Sequence, residues 1–355
     1  MGIQTMRLGI IARSDNTGLG NQTRELVKML NPKKILLINS SFFNNNIQHP
    51  EWYQDYDYRE TVRGFPKTSE ILDFLKNLDV VLSCETFYDS RFIDIANTKN
   101  VKTILQYNYE LLEHVAKPNL TPPTIFLAPS LWNIEKMNKL FGNKTKIIHL
   151  PPPTSSELFE KQKEINFSKS HNRVLHVAGK RAAKDRNGTQ TVLDMLTYSK
   201  RDYELVITTQ TELDIKFTDS RLTIIHENIE DRSTLYSGFD ALVLPRRYAG
   251  LCLPMNEALL SGLPVFMTNI MPNNTILPSD WLVYADKIDR FRGKALVNVY
   301  GANPKELANL VDSYINLNHR RKLNQKEHAY NLGIQTFSTN VLKQKYLDII
   351  SQATS

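Results

Sequence analysis

The chain has only two cysteines, Cys84 and Cys252, in 355 residues. That is too few for a disulfide framework, and their spacing fits no metal site, so both read as reduced thiols. Long apolar runs are missing as well. The longest, such as LHVAG and ALVLP, are the length of a strand, so no segment is expected to span a membrane. The opening MGIQTMRLGIIARSD has no extended apolar stretch and no small-residue cleavage site, which argues against a signal peptide. A cytoplasmic location is expected. The eight histidines form no HxxxH or similar ligand pair. QDYDYR (54–59) contains an Asp-x-Asp, but it sits in an acidic, tyrosine-rich stretch that reads as solvated surface. No metal and no cofactor are expected.

What is present is the composition of a globular protein, 41% hydrophobic and 23% charged, in a chain long enough for two domains. The net charge of +7 raises the question of nucleic acid. Residues 1–165 carry +2 and residues 166–355 carry +5. Residues 169–186 alone, with Lys169, Arg173, Lys180, Arg181, Lys184 and Arg186 against Asp185, account for +5. The surplus is therefore local, as at an anion site, and not a broad basic face.

Short Leu-rich or β-branched runs alternate with amphipathic stretches. RLGIIA (7–12), KILLIN (34–39), VVLS (80–83), KTILQY (102–107), TIFLAP (124–129) and KIIHL (146–150) read as strands. Helical spacing fills the intervals at 21–30, 69–78, 90–97 and 130–141. Residues 42–60 fit neither period and read as a long loop. The proline-rich, then polar, stretch 151–172 reads as a connection. The pattern restarts at VLHVAG (174–179), YELVITT (203–209), LTIIHE (222–227), DALVLP (240–245) and PVFMTN (264–269), with WLVYA (281–285) and a helical tail from Pro304. Strands alternating with helices imply parallel sheets. The expected fold is α/β: two tandem Rossmann-like domains, 1–165 and 166–335, with a C-terminal helix at 336–355 that packs back on the first.

Three stretches carry chemistry. In IIARSDNTGLGNQTREL (10–26), Gly18 and Gly20 stand between a strand and a helix, where backbone N–H groups can approach a ligand. Thr23 occupies the place of the third glycine of the dinucleotide fingerprint, which disfavours NAD. In VLHVAGKRAAKDRNGTQTVLDML (174–196), four basic residues crowd a βα turn beside a helix N-terminus, a fit for a diphosphate. In DALVLPRRYAGLCLPMNEALLSGLPVF (240–266), a Gly/Pro loop runs into a helix expected to start near Met255, with Glu257 in its first turn. A carboxylate there can accept both hydrogen bonds of a vicinal diol such as a ribose, or simply favour the helix dipole.

These stretches resemble the GT-B-fold glycosyltransferases of glycosyltransferase family 4. The resemblance covers most of the chain and is strongest over 174–268. VAGKRAAKDRNG is similar to the family's V-G-R-x-x-x-x-K-G, with Lys180 or Arg181 at the Arg position and Lys184 or Arg186 at the Lys position. Gly250, Leu253, Pro254, Glu257, Ala258, Gly262, Pro264 and Val265 match the later P-S-x-x-E-G-F-G-L-P-x-x-E-A and G-x-P-V segments.

The resemblance implies a retaining transfer of sugar from a UDP- or GDP-linked donor. In that route the leaving phosphate deprotonates the acceptor hydroxyl, and Lys180, Arg181, Lys184 and Arg186 neutralise the diphosphate. It further implies Glu257 on the ribose, the base near Asn228 and Ile229, and Gly18, Leu19 and Gly20 facing the donor phosphates across a cleft between the domains. Gly250, Leu251, Cys252 and Leu253 would form the donor loop. Asp15, Asn21, Glu85, Asn108 and Glu110 are the acceptor-side candidates.

Four residues depart from the family. Ala249 replaces the first acid of the Glu-x7-Glu pair, which contacts sugar hydroxyls, and Arg246 replaces a Ser, adding charge where the sugar should sit. Tyr107 and Asn108 stand where a His is frequent. Arg246 and Arg247 are candidate substitutes for the missing acid. The loops NTGLGNQT and AGLCLPMNEA are similar to those of phage glycosyltransferases that decorate hydroxymethylated DNA bases, so DNA is the first acceptor expectation. Transfer to a cell-surface glycan or lipid, a non-catalytic nucleotide- or sugar-binding role, and a GT-B phosphorylase or epimerase are the alternatives.

Overall fold

The computed structural model describes residues 6–44, 48–114, 120–180, 182–214, 217–227, 229 and 231–355. The chain divides into two compact units. The first comprises the residues up to Thr154 together with Thr339–Ser355, and the second is Ser155–Ser338.

In the first unit, seven parallel strands lie in the order β3-β2-β1-β4-β5-β6-β7. They are β1 (Leu8–Arg13), β2 (Lys34–Ile38), β3 (Tyr58–Glu60), β4 (Val80–Cys84), β5 (Lys102–Gln106), β6 (Ile125–Ala128) and β7 (Lys146–His149). The central strands are buried along their whole length, which is why they read as apolar runs and not as alternation. Strand order reverses direction between β1 and β4, so a crevice opens beyond their carboxyl ends, where ligands of open α/β sheets collect.

Residues 42–60 are more ordered than their sequence suggests. Pro50–Tyr53 form a helical turn, and Tyr58–Glu60 add edge strand β3 in register with β2. Tyr53 explains this: its fully buried ring belongs to the core, and its hydroxyl donates to the Arg13 carbonyl at 2.8 Å. The Asp-x-Asp stays at the surface, with Asp57 paired to Arg59 at 3.0 Å.

The helix Thr339–Thr354 buries Leu342, Tyr346 and Ile350 in the core of this first unit. The Tyr346 hydroxyl donates to the Pro151 carbonyl at 3.0 Å and accepts from Gln106 Nε2 at 3.0 Å. No helix among the described residues is long and apolar enough to cross a membrane.

In the second unit, the parallel order is β10-β9-β8-β11-β12-β13. The strands are β8 (Arg173–Gly179), β9 (Glu204–Thr209), β10 (Leu222–His226), β11 (Ala241–Leu244), β12 (Val265–Thr268) and β13 (Leu282–Val283). Here the reversal falls between β8 and β11. The stretch read as a connection is largely a packed part of this unit. Phe159 is fully buried in its core, and Asn166 on the helix Glu160–Ser168 donates to the Tyr236 and Ser261 carbonyls at 2.8 and 2.9 Å.

An antiparallel hairpin, β14 (Ala285–Arg292) and β15 (Leu296–Ala302), follows β13. Sequence patterning missed it because ADKIDRFR buries only Ala285 fully, leaving no apolar face to read.

One buried cluster ties the helix His319–Phe337 to Asp240, the residue before β11. Asp240, fully buried, pairs with Lys326 at 2.9 Å and Lys322 at 3.3 Å, and accepts from the His171 and Asn172 N–H groups at 3.0 Å each. Burial pushes this carboxyl up, but the two ammonium groups and the backbone bonds outweigh it and hold it at about 2. A folded-state value below the ordinary 3.8 contributes stability above the ordinary value, lost as pH falls through the folded value of about 2. Replacing Asp240 by Ala leaves two buried cations without their acid. Unfolding in urea at pH 7 should show a loss of about 3–5 kcal/mol.

Candidate functional site

In the second unit, the loops after β8 and β11 meet at the reversal of strand order. The first leaves β8 at Gly179 with φ +65° and coils through Lys184 and Asp185, both in the left-handed region. It ends at Gly188, φ +72°, where a Cβ would fall 2.4 Å from the Pro245 carbonyl oxygen. Only glycine permits that approach.

Arg247 then zips the two loops to the hairpin. Its backbone N–H donates to the Arg186 carbonyl at 2.8 Å, and its guanidinium donates to the carbonyls of Lys184 (2.8 Å) and Tyr300 (3.0 Å). The Tyr248 hydroxyl donates to the Ala183 carbonyl at 2.6 Å, and its ring meets Phe291 edge-on at 5.2 Å. Arg247 is thus a clamp between loops, and its guanidinium is committed to backbone carbonyls.

The basic loop departs from expectation in two ways. The N-terminus of the helix Thr189–Tyr198 is already filled, because the Asp185 carboxylate accepts from the N–H groups of Thr189 and Gln190 at 3.0 Å each. In this structure a carboxylate of the chain itself takes the place that the sequence suggested for a diphosphate. Lys184 turns to the hairpin and pairs with Asp289 at 2.9 Å. Lys180 is exposed and Arg186 half-buried on the same loop, and Arg181 lies outside the described residues. Beneath them, His176 is fully buried and pushed down to about 4, mainly by burial. Being neutral, it donates from Nδ1 to the Val243 carbonyl at 2.9 Å and accepts at Nε2 from the Thr189 hydroxyl at 3.0 Å.

The open N-terminus belongs to the next helix, Leu253–Leu260, which starts earlier than the sequence suggested. None of the N–H groups from Ala249 to Leu253 donates to a described residue, and no side chain caps the helix. Ala249, nearly buried, holds φ +103°, a conformation that favours glycine. Glu257 consequently lies in the second turn, not the first, and is 4% exposed. Its Oε2 accepts from the Tyr236 hydroxyl at 2.7 Å, and its Oε1 meets the Arg232 guanidinium at 2.9 Å. Burial and the Glu257 charge together push the Tyr236 phenol well up, so it stays a donor. Arg232 and Tyr236 were not foreseen, since nothing in IEDRSTLYSG marks them as partners of a residue on another element. Ile229 is among the described residues, but Asn228 is not.

In the first unit, the glycines are helical, because the helix begins at Gly18 and not near Asn21. Thr17 caps it by accepting from the Gly20 N–H at 3.2 Å. A Cβ on Gly20 would fall 1.9 Å from the Asp15 carbonyl oxygen, so close packing alone accounts for this glycine. Leu19 is buried.

Asp15 is fully buried, paired with Arg13 at 2.5 Å and accepting from the Thr17 hydroxyl, which braces the loop after β1. Asn21 donates to Asn16 Oδ1 at 3.2 Å. Glu85, half-buried after β4, takes φ +64°, and its N–H donates to the Gln106 carbonyl at 2.8 Å. Tyr88 follows at φ +62°, with Arg13, Glu85 and Asp15 all close enough to act on its phenol electrostatically. Asn108 has a buried Oδ1 without a hydrogen-bond partner among the described residues, and Glu110 is half-buried beside it. Asp15 and Glu85 thus gather at the reversal of strand order in this sheet, while Asn108 and Glu110 follow β5 one strand away. Among the described residues, no three His, Cys, Asp or Glu side chains group as metal ligands.

The Gly188 approach gives a direct test. Gly188→Ala forces both a left-handed Cβ and a collision with Pro245, and should destabilise the protein by about 1–3 kcal/mol in chemical unfolding. An Ala substitution at the exposed Gly293 should stay within about 0.5 kcal/mol.

No family model matches the sequence, and no curated protein sequence matches it. Solved structures do. The chain is similar to a glycosyltransferase from Rickettsia africae ESF-5, at TM-score 0.68 and 14% identity over 99% of each chain. It is similar to Anabaena Alr3699/HepE, solved in complex with UDP and glucose, at TM-score 0.66 and 11% identity over 98% of this chain and 100% of that one. The lipopolysaccharide outer core galactosyltransferase WaaB matches at TM-score 0.60 and 13% identity over 99% and 100%. With its two parallel sheets and full-length correspondence to these enzymes, the chain has the GT-B glycosyltransferase fold.

Proposed function

We propose that this protein is a retaining glycosyltransferase that moves a sugar from a UDP- or GDP-linked donor to an acceptor hydroxyl. The observation that carries the reading is Glu257. It is a buried carboxylate, oriented by Tyr236 and Arg232, one turn beyond a helix start whose N–H groups are open, at the strand-order reversal of the second sheet. The ribose hydroxyls donate to Glu257, and the diphosphate takes the N–H groups of Gly250, Leu251, Cys252 and Leu253. Lys180 and Arg186 supply further positive charge from the neighbouring loop, while Lys184 holds the hairpin through Asp289. Charge on the departing diphosphate is the main demand of the transfer, and preorganised N–H groups and cations meet it without a protein nucleophile. In the same-face route the leaving phosphate takes the acceptor proton, so no side chain is assigned as base and no metal is required.

The test is nucleotide binding followed by transfer. UDP or GDP should bind, and Glu257→Gln should weaken that binding about 10- to 100-fold, the value of hydrogen bonds to a charged acceptor. If neither nucleotide binds the unaltered protein, the proposal fails. Tight nucleotide binding without transfer or hydrolysis of any donor would indicate a binding protein instead.

For the acceptor, we propose a hydroxymethylated base of DNA, a reading favoured by Lys287, Arg290, Arg292 and Lys294 on the hairpin beside the donor loops. Hydroxymethylated DNA incubated with the enzyme and a donor panel should gain the mass of one sugar per modified base. Absence of any gain would turn the search to glycan and lipid hydroxyls.

A further inference from the structure

Arg246 occupies the first turn of chain beyond Pro245, at the carboxyl end of β11, one of the two strands that flank the reversal. It is 6% exposed. Its backbone is fixed: its N–H donates to the Leu244 carbonyl at 2.7 Å, and its carbonyl accepts the Thr268 hydroxyl from the end of β12. The side chain is another matter. Its Nε is buried with no hydrogen-bond partner among the described residues, and no acid there pairs with its guanidinium.

A guanidinium whose Nε is buried without a hydrogen-bond partner, and which has no acid beside it, is costly, since a charge removed from water needs both an opposite charge and hydrogen-bond acceptors. Two other arginines of the site have identified partners. Arg247 donates to two carbonyls, and Arg232 meets Glu257. Its neighbours along the chain add donors and no acid. Residues 245–256 contain no Asp or Glu, and Asn256, 1% exposed on the helix start, has an Nδ2 without a partner among the described residues. The first acid along the chain is Glu257, whose two oxygens already meet Tyr236 and Arg232.

The unsatisfied side-chain groups of this corner, Arg246 Nε and Asn256 Nδ2, are both donors, so it favours a ligand group that accepts hydrogen bonds. Guanidinium offers five N–H donors in a planar fork and no acceptor, the match for a carboxylate. We propose that Arg246 selects the donor, and that the transferred sugar carries a carboxylate, as in a nucleotide-linked uronic acid. The proposal rests on the nucleotide-sugar reading above and extends it to the class of sugar. Arg246 is left without a partner in the free protein so that the sugar carboxylate can complete the ion pair.

Calorimetric titration with UDP, UDP-glucose and UDP-glucuronate, and with GDP, GDP-mannose and GDP-mannuronate, tests this. Within one nucleotide series, the uronate-linked donor should bind the unaltered protein about 10- to 100-fold tighter than its neutral counterpart. Arg246→Ser should abolish that preference and leave the affinity for the free nucleoside diphosphate within about twofold. Arg246→Lys keeps the charge without the fork and should retain part of the preference.

Without ligand, Arg246→Ser should melt no lower than the unaltered protein, because it removes an uncompensated buried charge. A structural role would lower the melting temperature. Equal or weaker binding of the uronate donor overturns the proposal. So does a loss of nucleoside diphosphate affinity in Arg246→Ser as large as the loss for the uronate donor, which would assign Arg246 to the diphosphate. Failure of every nucleotide to bind the unaltered protein would remove the donor reading itself, and this proposal with it.

Discussion

Gly188 lies so close to the Pro245 carbonyl that one added carbon would collide with it, and the second unit's site is built on that approach. Two loops that leave neighbouring strands on either side of the strand-order reversal are thereby held at backbone contact. Arg247 then fastens both to the hairpin through three carbonyls, and Tyr248 and Phe291 pack over the joint. The loop N–H groups of 249–253 donate to no described residue. Rigid loops with unsatisfied donors are what an anionic ligand requires, since little order remains to be imposed on binding.

The cations divide by duty once their partners are known. Counted along the chain, residues 180–186 hold four positive charges that look equivalent. In three dimensions Lys184 pairs with Asp289, Asp185 caps a helix, and Arg246, from another loop, is the buried guanidinium without an acid. A positive charge is available to a ligand only where no protein carboxylate answers it. Charge density along the sequence therefore locates the region without showing which partner each residue takes.

In the first unit, Asp15 gives Gly20 a packing reason of its own. The glycine is required by the Asp15 carbonyl, and the acid is held by Arg13 and Thr17. A G-x-G between strand and helix has that ambiguity by nature, because the same absence of a Cβ serves a phosphate or a neighbouring backbone. Glu85 and Tyr88, by contrast, sit at positive φ after β4, a strained arrangement of the kind kept at functional sites.

Period and composition were enough to determine the α/β class, the two successive sheets and nearly every buried strand, because parallel strands covered on both faces must be continuous apolar runs. They were also enough to single out Glu257 and the two loops, whose Gly, Pro and basic residues follow strands directly. They could not reveal the hairpin 285–302, whose exposed face is charged, nor edge strand β3, which Tyr53 and the neighbouring β2 hold in place. The start of the helix at Leu253, the pairing of Lys184, the Tyr236–Arg232 brace on Glu257 and the solitary Arg246 were decided by tertiary structure alone. Each depends on which atoms distant segments bring within about 3 Å, the reach of a hydrogen bond, and no local pattern encodes that distance.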